Sequence, residues 1–204
     1  MSKYKIAALI FPDFEMLDLY GPLEMFSMYP DVFEIVTVAE RAGPVRAAGG
    51  PATVAQAGFA DGDAYDVLLV PGGAGTRAGR EDETLVGWLT GAIAKARITS
   101  SVCTGTALLA ATGALDGRRA TTNKLAFDRV ADDRPQVDWQ RSARWVEDGP
   151  FFTASGVSAG CDMALALIAH LQGDKAATDA ALWAEYTWNR DPDDDPFANC
   201  KDED

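Results

Sequence analysis

The stretch Lys5-Ile6-Ala7-Ala8-Leu9-Ile10-Phe11 lacks the alternation of apolar and polar residues that marks a half-wet strand. A strand covered on both faces reads instead as a continuous apolar run. Asp66-Val67-Leu68-Leu69-Val70 repeats the pattern, and segments of helical spacing lie between and after the two. That alternation confines the chain to an α/β doubly wound domain with a mostly parallel sheet and helices on both faces. The 204 residues, 48% hydrophobic, suffice for one good core, and no repeat or long linker divides them. A single domain is expected over residues 1–190. Residues 191–204 are expected to be an acidic, proline-containing tail wrapping the surface.

In chain order, residues 16–28 carry helical spacing, and Gly21-Pro22 is expected to kink or restart that helix near Tyr20. Residues 32–38 form a second strand. Residues 44–57, interrupted by Gly49-Gly50-Pro51, form a β-hairpin excursion. Helices are expected over residues 83–96, 123–130, 158–171 and 174–188, with a short strand at 119–122. Glu147-Asp148-Gly149-Pro150 is the turn of a second hairpin. The first helix carries Met16, Tyr20, Phe26 and Met28, more apolar surface than one core face absorbs, which points to an isologous dimer.

Ser100-Ser101-Val102-Cys103-Thr104-Gly105 joins a short strand to an Ala/Leu-rich helix. On so sharp a turn the sulfur stands clear of the sheet, and the following N–H groups and helix dipole favour its thiolate. That is the geometry of a nucleophile, although burial as an inert residue is the ordinary fate of a cysteine. Ligands of such sheets sit beyond the carboxyl ends of the strands, where Asp18 and the turn Pro71-Gly72-Gly73 also fall. The Gly72, Gly73 and Thr104 N–H groups would form an oxyanion hole, unless Gly-Gly is plain turn punctuation. Asp18, among Met16, Leu17 and Leu19, is costly unless paired or protonated, which suits an acid beside a thiolate. A first-turn carboxylate stabilising the helix is the alternative, and Glu24 is the rival acid.

A net charge of −13 argues against nucleic acid and anionic membranes as partners. Cys103, Cys161 and Cys200 are odd in number and form no CxxC pair, so no disulfide framework and no metal is expected. Met1-Ser2-Lys3-Tyr4-Lys5 runs into the first strand without a signal-peptide pattern, and no apolar run has membrane length, which fits a reducing cytoplasm. His170, the one histidine, lies roughly 14 Å along its helix from the end facing the site, which excludes a Cys–His protease. Gly72-Gly73-Ala74-Gly75 fits neither a phosphate loop nor a dinucleotide fingerprint, and no cofactor is expected.

Leu17-Asp18-Leu19-Tyr20-Gly21-Pro22, Val70-Pro71-Gly72-Gly73 and Ser101-Val102-Cys103-Thr104-Gly105 occur in the order seen in the ThiJ/PfpI superfamily, which is class I glutamine amidotransferase-like. So do residues 115–122 and Gly156-Val157-Ser158-Ala159-Gly160-Cys161-Asp162. The chain resembles this superfamily over about residues 5–190, and most of all its isocyanide hydratase branch and the sensor domains of AraC-type regulators. The resemblance implies a flavodoxin-like fold, a homodimer, Cys103 as nucleophile and Asp18 as its acidic partner. It implies a cofactor-free enzyme hydrating an isocyanide to an N-substituted formamide. The alternatives are glyoxalase- or deglycase-like chemistry on small reactive carbonyls, or a redox or ligand sensor. No helix-turn-helix pattern follows the domain, which speaks against direct DNA regulation. Thr121-Thr122-Asn123-Lys124 departs from the Thr-Thr-His-Trp usual among those relatives, and residues 185–197 resemble a separate branch.

Overall fold

A computed structural model describes residues 3–62 and 64–200; the readings made on Met1, Ser2 and residues 201–204 lie outside the described residues. The first half comprises β1 (Tyr4–Leu9), α1 (Met16–Ser27), β2 (Phe33–Ala39), β3 (Gly43–Arg46), β4 (Ala52–Ala55), β5 (Ala57–Gly58), β6 (Val67–Val70), α2 (Thr76–Gly79) and α3 (Glu83–Ile93). There follow β7 (Ile98–Val102), α4 (Gly105–Ala111), β8 (Arg119–Ala120), α5 (Phe127–Asp133) and β9 (Asp138–Trp139). The chain continues through β10 (Trp145–Asp148), β11 (Phe151–Ala154), α6 (Ala159–Gln172) and α7 (Asp174–Trp183).

Seven strands form the main sheet in the order β10-β11-β7-β6-β1-β2-β5, parallel throughout except for the β10–β11 hairpin. From β1 the chain moves outward to β2 and β5, then returns to β6 on the opposite side of β1. The carboxyl ends of β1 and β6 therefore flank the topological switch point, where such sheets leave a crevice. The continuous apolar runs become strands buried on both faces: every residue of β6 and the last four of β1 are buried. Strand β7 is also wholly buried, although its middle is Thr-Ser-Ser. Its two serine hydroxyls are satisfied inside the protein, Ser100 donating to the Leu68 carbonyl (2.7 Å) and Ser101 bonding Thr106 (2.8 Å), so their burial costs little.

The β3–β4 excursion is an antiparallel hairpin, as its Gly-Gly-Pro interruption suggested. Other expectations need correction. Helix α1 runs unbroken through Gly21-Pro22. Pro22 has no N–H to offer the Asp18 carbonyl, but tight packing on α6 carries the helix through. A Cβ on Gly21 would lie 2.7 Å from the Cys161 Sγ, and one on Gly160 would lie 3.3 Å from Pro22. Phe26 is buried edge-on to Phe33 (5.1 Å), so the surplus apolar surface of α1 shrinks to half-exposed Leu17 and Tyr20.

Helix α5 starts at Phe127 rather than 123, because the Asn123 side chain accepts the Ala126 N–H (3.1 Å) and holds residues 121–126 as a shaped loop. Helix α7 stops at Trp183, with Glu185 left-handed at φ 49°. Beyond it the acidic segment is a strap with a buried anchor. The Pro192 carbonyl accepts the Arg144 N–H (2.7 Å), the Ser142 carbonyl accepts the Asp195 N–H (2.9 Å), and Asp195 is 3% exposed.

Candidate active site

Cys103 follows the last residue of β7 with φ 58°, a left-handed conformation that a side chain adopts only under constraint. Its N–H donates to the Ala154 carbonyl of β11 (3.1 Å), and its own carbonyl accepts the Thr122 hydroxyl (2.9 Å). The next turn is equally confined. A Cβ on Gly105 would come within 2.3 Å of the Val70 carbonyl, so α4 starts directly against the end of β6.

Asp18, in the first turn of α1, is 0% exposed. One carboxyl oxygen, Oδ2, accepts the Gly72 N–H (2.9 Å); the other, Oδ1, is buried without an aligned partner. The Cys103 thiol lies within hydrogen-bonding and Coulombic reach of this carboxyl. Burial raises the Asp18 pKa to about 7; the Gly72 N–H works against the rise, and the Glu15 charge adds to it. Glu24 is exposed on the outer face of α1, which leaves Asp18 as the acid of the pair.

The expectation of a depressed thiol pKa meets the opposite direction. Burial pushes the Cys103 thiol well up, and the Asp18 charge pushes it further; the Thr104 N–H pulls the other way without prevailing. Helix α4 has only seven residues, so its dipole is too small to offset burial. The resting pair therefore holds a thiol beside a carboxyl titrating near neutrality.

Gly72, Gly73 and Thr104 do converge on Cys103, but their donors are partly engaged. The Gly72 N–H is spent on Asp18 and orients that carboxyl. The Gly73 N–H donates to the Thr104 hydroxyl (3.0 Å), which also receives the Thr76 hydroxyl (3.0 Å). Gly73 has φ 121°, and a Cβ there would strike the Asp13 carbonyl at 2.4 Å, so only glycine fits this turn. The thiol opens on a cleft of about 320 Å³ walled by Thr76, Asn123 and Val157, with Glu15, Arg77 and Arg129 at its rim.

Three residues that sequence reasoning left without a role hold this site from behind. Thr122 fixes the elbow carbonyl. Lys124 is buried, its ammonium donating to the Thr121 hydroxyl (2.8 Å) and the Ala143 carbonyl (2.6 Å). Asp195, from the strap, faces that ammonium at 3.9 Å and Arg144 at 3.8 Å, and accepts the Ser155 hydroxyl. Burial lowers the Lys124 pKa to about 8 despite the Asp195 charge. Arg144 in turn binds Asp162 (2.7 Å). A tail aspartate carries no local pattern; only the unusual lysine after Thr121-Thr122-Asn123 hinted that an anion was needed nearby.

His170 lies apart, its Nδ1 3.1 Å from Glu147 and its ring edge-on to Phe152 (5.5 Å). Cys161, packed on α1, has its thiol pushed up to about 11 by burial, and Cys200 is exposed. Among the described residues no group of three or more His, Cys, Asp or Glu could hold a metal ion, and no helix is long and apolar enough to cross a membrane.

A mostly parallel sheet with a left-handed cysteine at the carboxyl end of β7, beside the switch point and faced by a buried carboxyl, defines a class of α/β cysteine-elbow proteins. Within it this chain belongs to the DJ-1/PfpI family, whose profile matches residues 4–170. It is 37% identical to the isonitrile hydratase of Pseudomonas putida over 184 residues, 89% of this chain and 78% of that one. It is 28% identical to the HTH-type transcriptional regulator CdhR of Pseudomonas aeruginosa, over 83% of this chain and 51% of that one. Among solved structures, a ThiJ/PfpI family protein from Pseudomonas syringae matches with a TM-score of 0.84 at 33% identity, covering 93% of this chain and 77% of that one. Drosophila melanogaster DJ-1beta matches at 0.80 with 18% identity, over 92% of this chain and 100% of that one, a likeness of fold.

Proposed function

We propose that this protein is a cofactor-free cysteine hydro-lyase that hydrates an isocyanide to an N-substituted formamide, working as a homodimer in a reducing cytoplasm. The observation that carries the reading is the pair itself: Cys103 on its left-handed elbow and wholly buried Asp18 with a pKa near 7. The 37% identity to an isonitrile hydratase supports the choice of substrate. Ionised Asp18 takes the thiol proton as sulfur attacks the electrophilic isocyanide carbon, then delivers that proton to the same carbon. An S–C bond has formed, and the product is a thioimidate on Cys103.

Water follows. Asp18 accepts one of its protons as oxygen bonds the carbon, and passes it to the imine nitrogen. Collapse of the tetrahedral adduct breaks the C–S bond and sends the hydroxyl proton to Asp18, releasing the formamide and leaving the thiolate to recover its proton. The Thr104 N–H is the donor for charge on that oxygen, while the Gly73 N–H holds the Thr104 hydroxyl and Gly72 keeps the acid aimed.

Formamide production from an aryl isocyanide tests the reading. Cys103→Ala is expected to abolish it, and Asp18→Asn to lower kcat by about 10²–10⁴-fold. Equal rates in all three proteins would sink the mechanism. Turnover of 2-oxoaldehydes but not isocyanides would move the function to small reactive carbonyls. Absence of both, with selective oxidation of Cys103, would make the protein a sensor.

A further inference from the structure

A second groove, of about 330 Å³, adjoins the nucleophile cleft, and the two share Asn123 and Val157 as lining. Leu17 from α1, Leu125 from the shaped loop and Phe197 from the strap supply its apolar lining. They are 47%, 52% and 51% exposed, an unusual outlay of large apolar side chains around one depression. Among the described residues that line it, the one charged side chain is Lys124, whose ammonium is turned inward to Thr121 and Ala143, leaving its aliphatic stem at the groove.

The wall supplied by the strap is also fixed in place. Asp195 uses Oδ1 to accept the Phe197 N–H (3.0 Å), while Oδ2 takes the Ser155 hydroxyl and faces Lys124. One buried carboxylate thus ties the backbone at Phe197 to the loop that carries Asn123 into the cleft. The cleft and groove each reach the lower end of the usual size of small-molecule sites, about 300–1,000 Å³.

We propose that this groove is the specificity subsite of the enzyme, seating an uncharged cycloalkyl or aryl substituent of the molecule whose reactive carbon meets Cys103. Continuity with the nucleophile cleft favours this occupant over a second copy of the chain. The proposal rests on the hydration reading for its substrate, but the shape of the groove applies to any electrophile that reaches Cys103.

Two measurements separate the claims. In the first, kcat/KM is compared for cyclohexyl and methyl isocyanide. The wild-type ratio is expected to favour cyclohexyl by about tenfold or more, and Phe197→Ala and Leu125→Ala are each expected to cut that ratio about tenfold. In the second, Cys103 is alkylated by N-cyclohexylmaleimide and N-methylmaleimide, read peptide by peptide so that Cys200 is scored apart, with glutathione as the free-thiol reference. The cyclohexyl preference at Cys103 should exceed that of glutathione several-fold and fall in the same variants. If no isocyanide is hydrated but the maleimide preference follows Phe197 and Leu125, the hydration reading fails and the subsite stands. If hydration proceeds and neither ratio responds to the variants, the subsite is wrong. Unchanged ratios together with a variant that turns a dimer into a monomer would assign the groove to an interface between copies.

Discussion

At the scale of single residues, burial raises both Asp18 and Cys103, and in the proposed reaction this sets the pH dependence. Because burial lifts the carboxyl to about 7 and the thiol still higher, the form with ionised Asp18 and a neutral thiol prevails above neutrality. Below about pH 7 the carboxyl is protonated and nothing remains to take the thiol proton. The limiting slope of log kcat/KM should therefore approach one unit per pH unit on the acid side, with an inflection near 7 that Asp18→Asn removes. A flat profile down to pH 5 would restore the low-pKa thiolate expected from the elbow alone. The same shift has a cost in stability. A folded pKa raised from 3.8 to about 7 means that the native state binds this proton more tightly than the unfolded chain. Stability present below about pH 4 is then lost as pH rises through 7. Asp18→Asn keeps an acceptor for the Gly72 N–H and escapes that loss. It should gain on the order of 2–4 kcal/mol over wild type at pH 8 and far less at pH 5, by denaturant melts.

At the scale of elements, legibility followed how locally each decision was made. The buried runs of β1 and β6 declare themselves because a doubly covered strand has no wet face to encode. Strand β7 hides behind Thr-Ser-Ser, whose hydroxyls are rescued by partners invisible to periodicity. Helix α1 survives Pro22 only through its contact with Gly160 and Cys161 on α6, more than a hundred residues away. The candidate acid and nucleophile were readable for the opposite reason, since the helix start after β1 and the turn after β7 both lie beyond strand carboxyl ends, where topology puts chemistry. The oxyanion donors were read less well, because a glycine in a turn does not say which acceptor its N–H has already found. The strap is the element with the least local signal and a large structural consequence. Asp195→Asn leaves buried Lys124 and Arg144 short of a counter-charge and should cost about 3–5 kcal/mol in denaturant unfolding. Adding Lys124→Met should recover part of that loss. An Asp195→Asn protein as stable as wild type would reduce the strap to ornament.

At the scale of the whole molecule, the fold follows from the alternation of elements, whereas assembly is a surface property that the first helix only partly exposes. With Phe26 in the core, the remaining candidates for a partner face are Leu17 and Tyr20, the latter bonding Thr53 (2.6 Å), and exposed Val54 on the neighbouring hairpin. We expect light scattering at micromolar concentration to give twice the chain mass of 21.7 kDa. A mass of one chain would remove the dimer from the account and leave Cys103 and Asp18, both on this protomer, untouched.

The strap also gives the protein a sense of time. During synthesis Asp18 and Cys103 emerge first, then Lys124, and only some seventy residues after Lys124 does Asp195 arrive to neutralise it. Until then Lys124 lacks the carboxylate that holds its proton against burial. The packing behind the elbow is thus completed last, and it depends on a segment far from the thiol in sequence. A chain that stops before Asp195 would carry Cys103 and Asp18 but lack the carboxylate that faces Lys124 and Arg144.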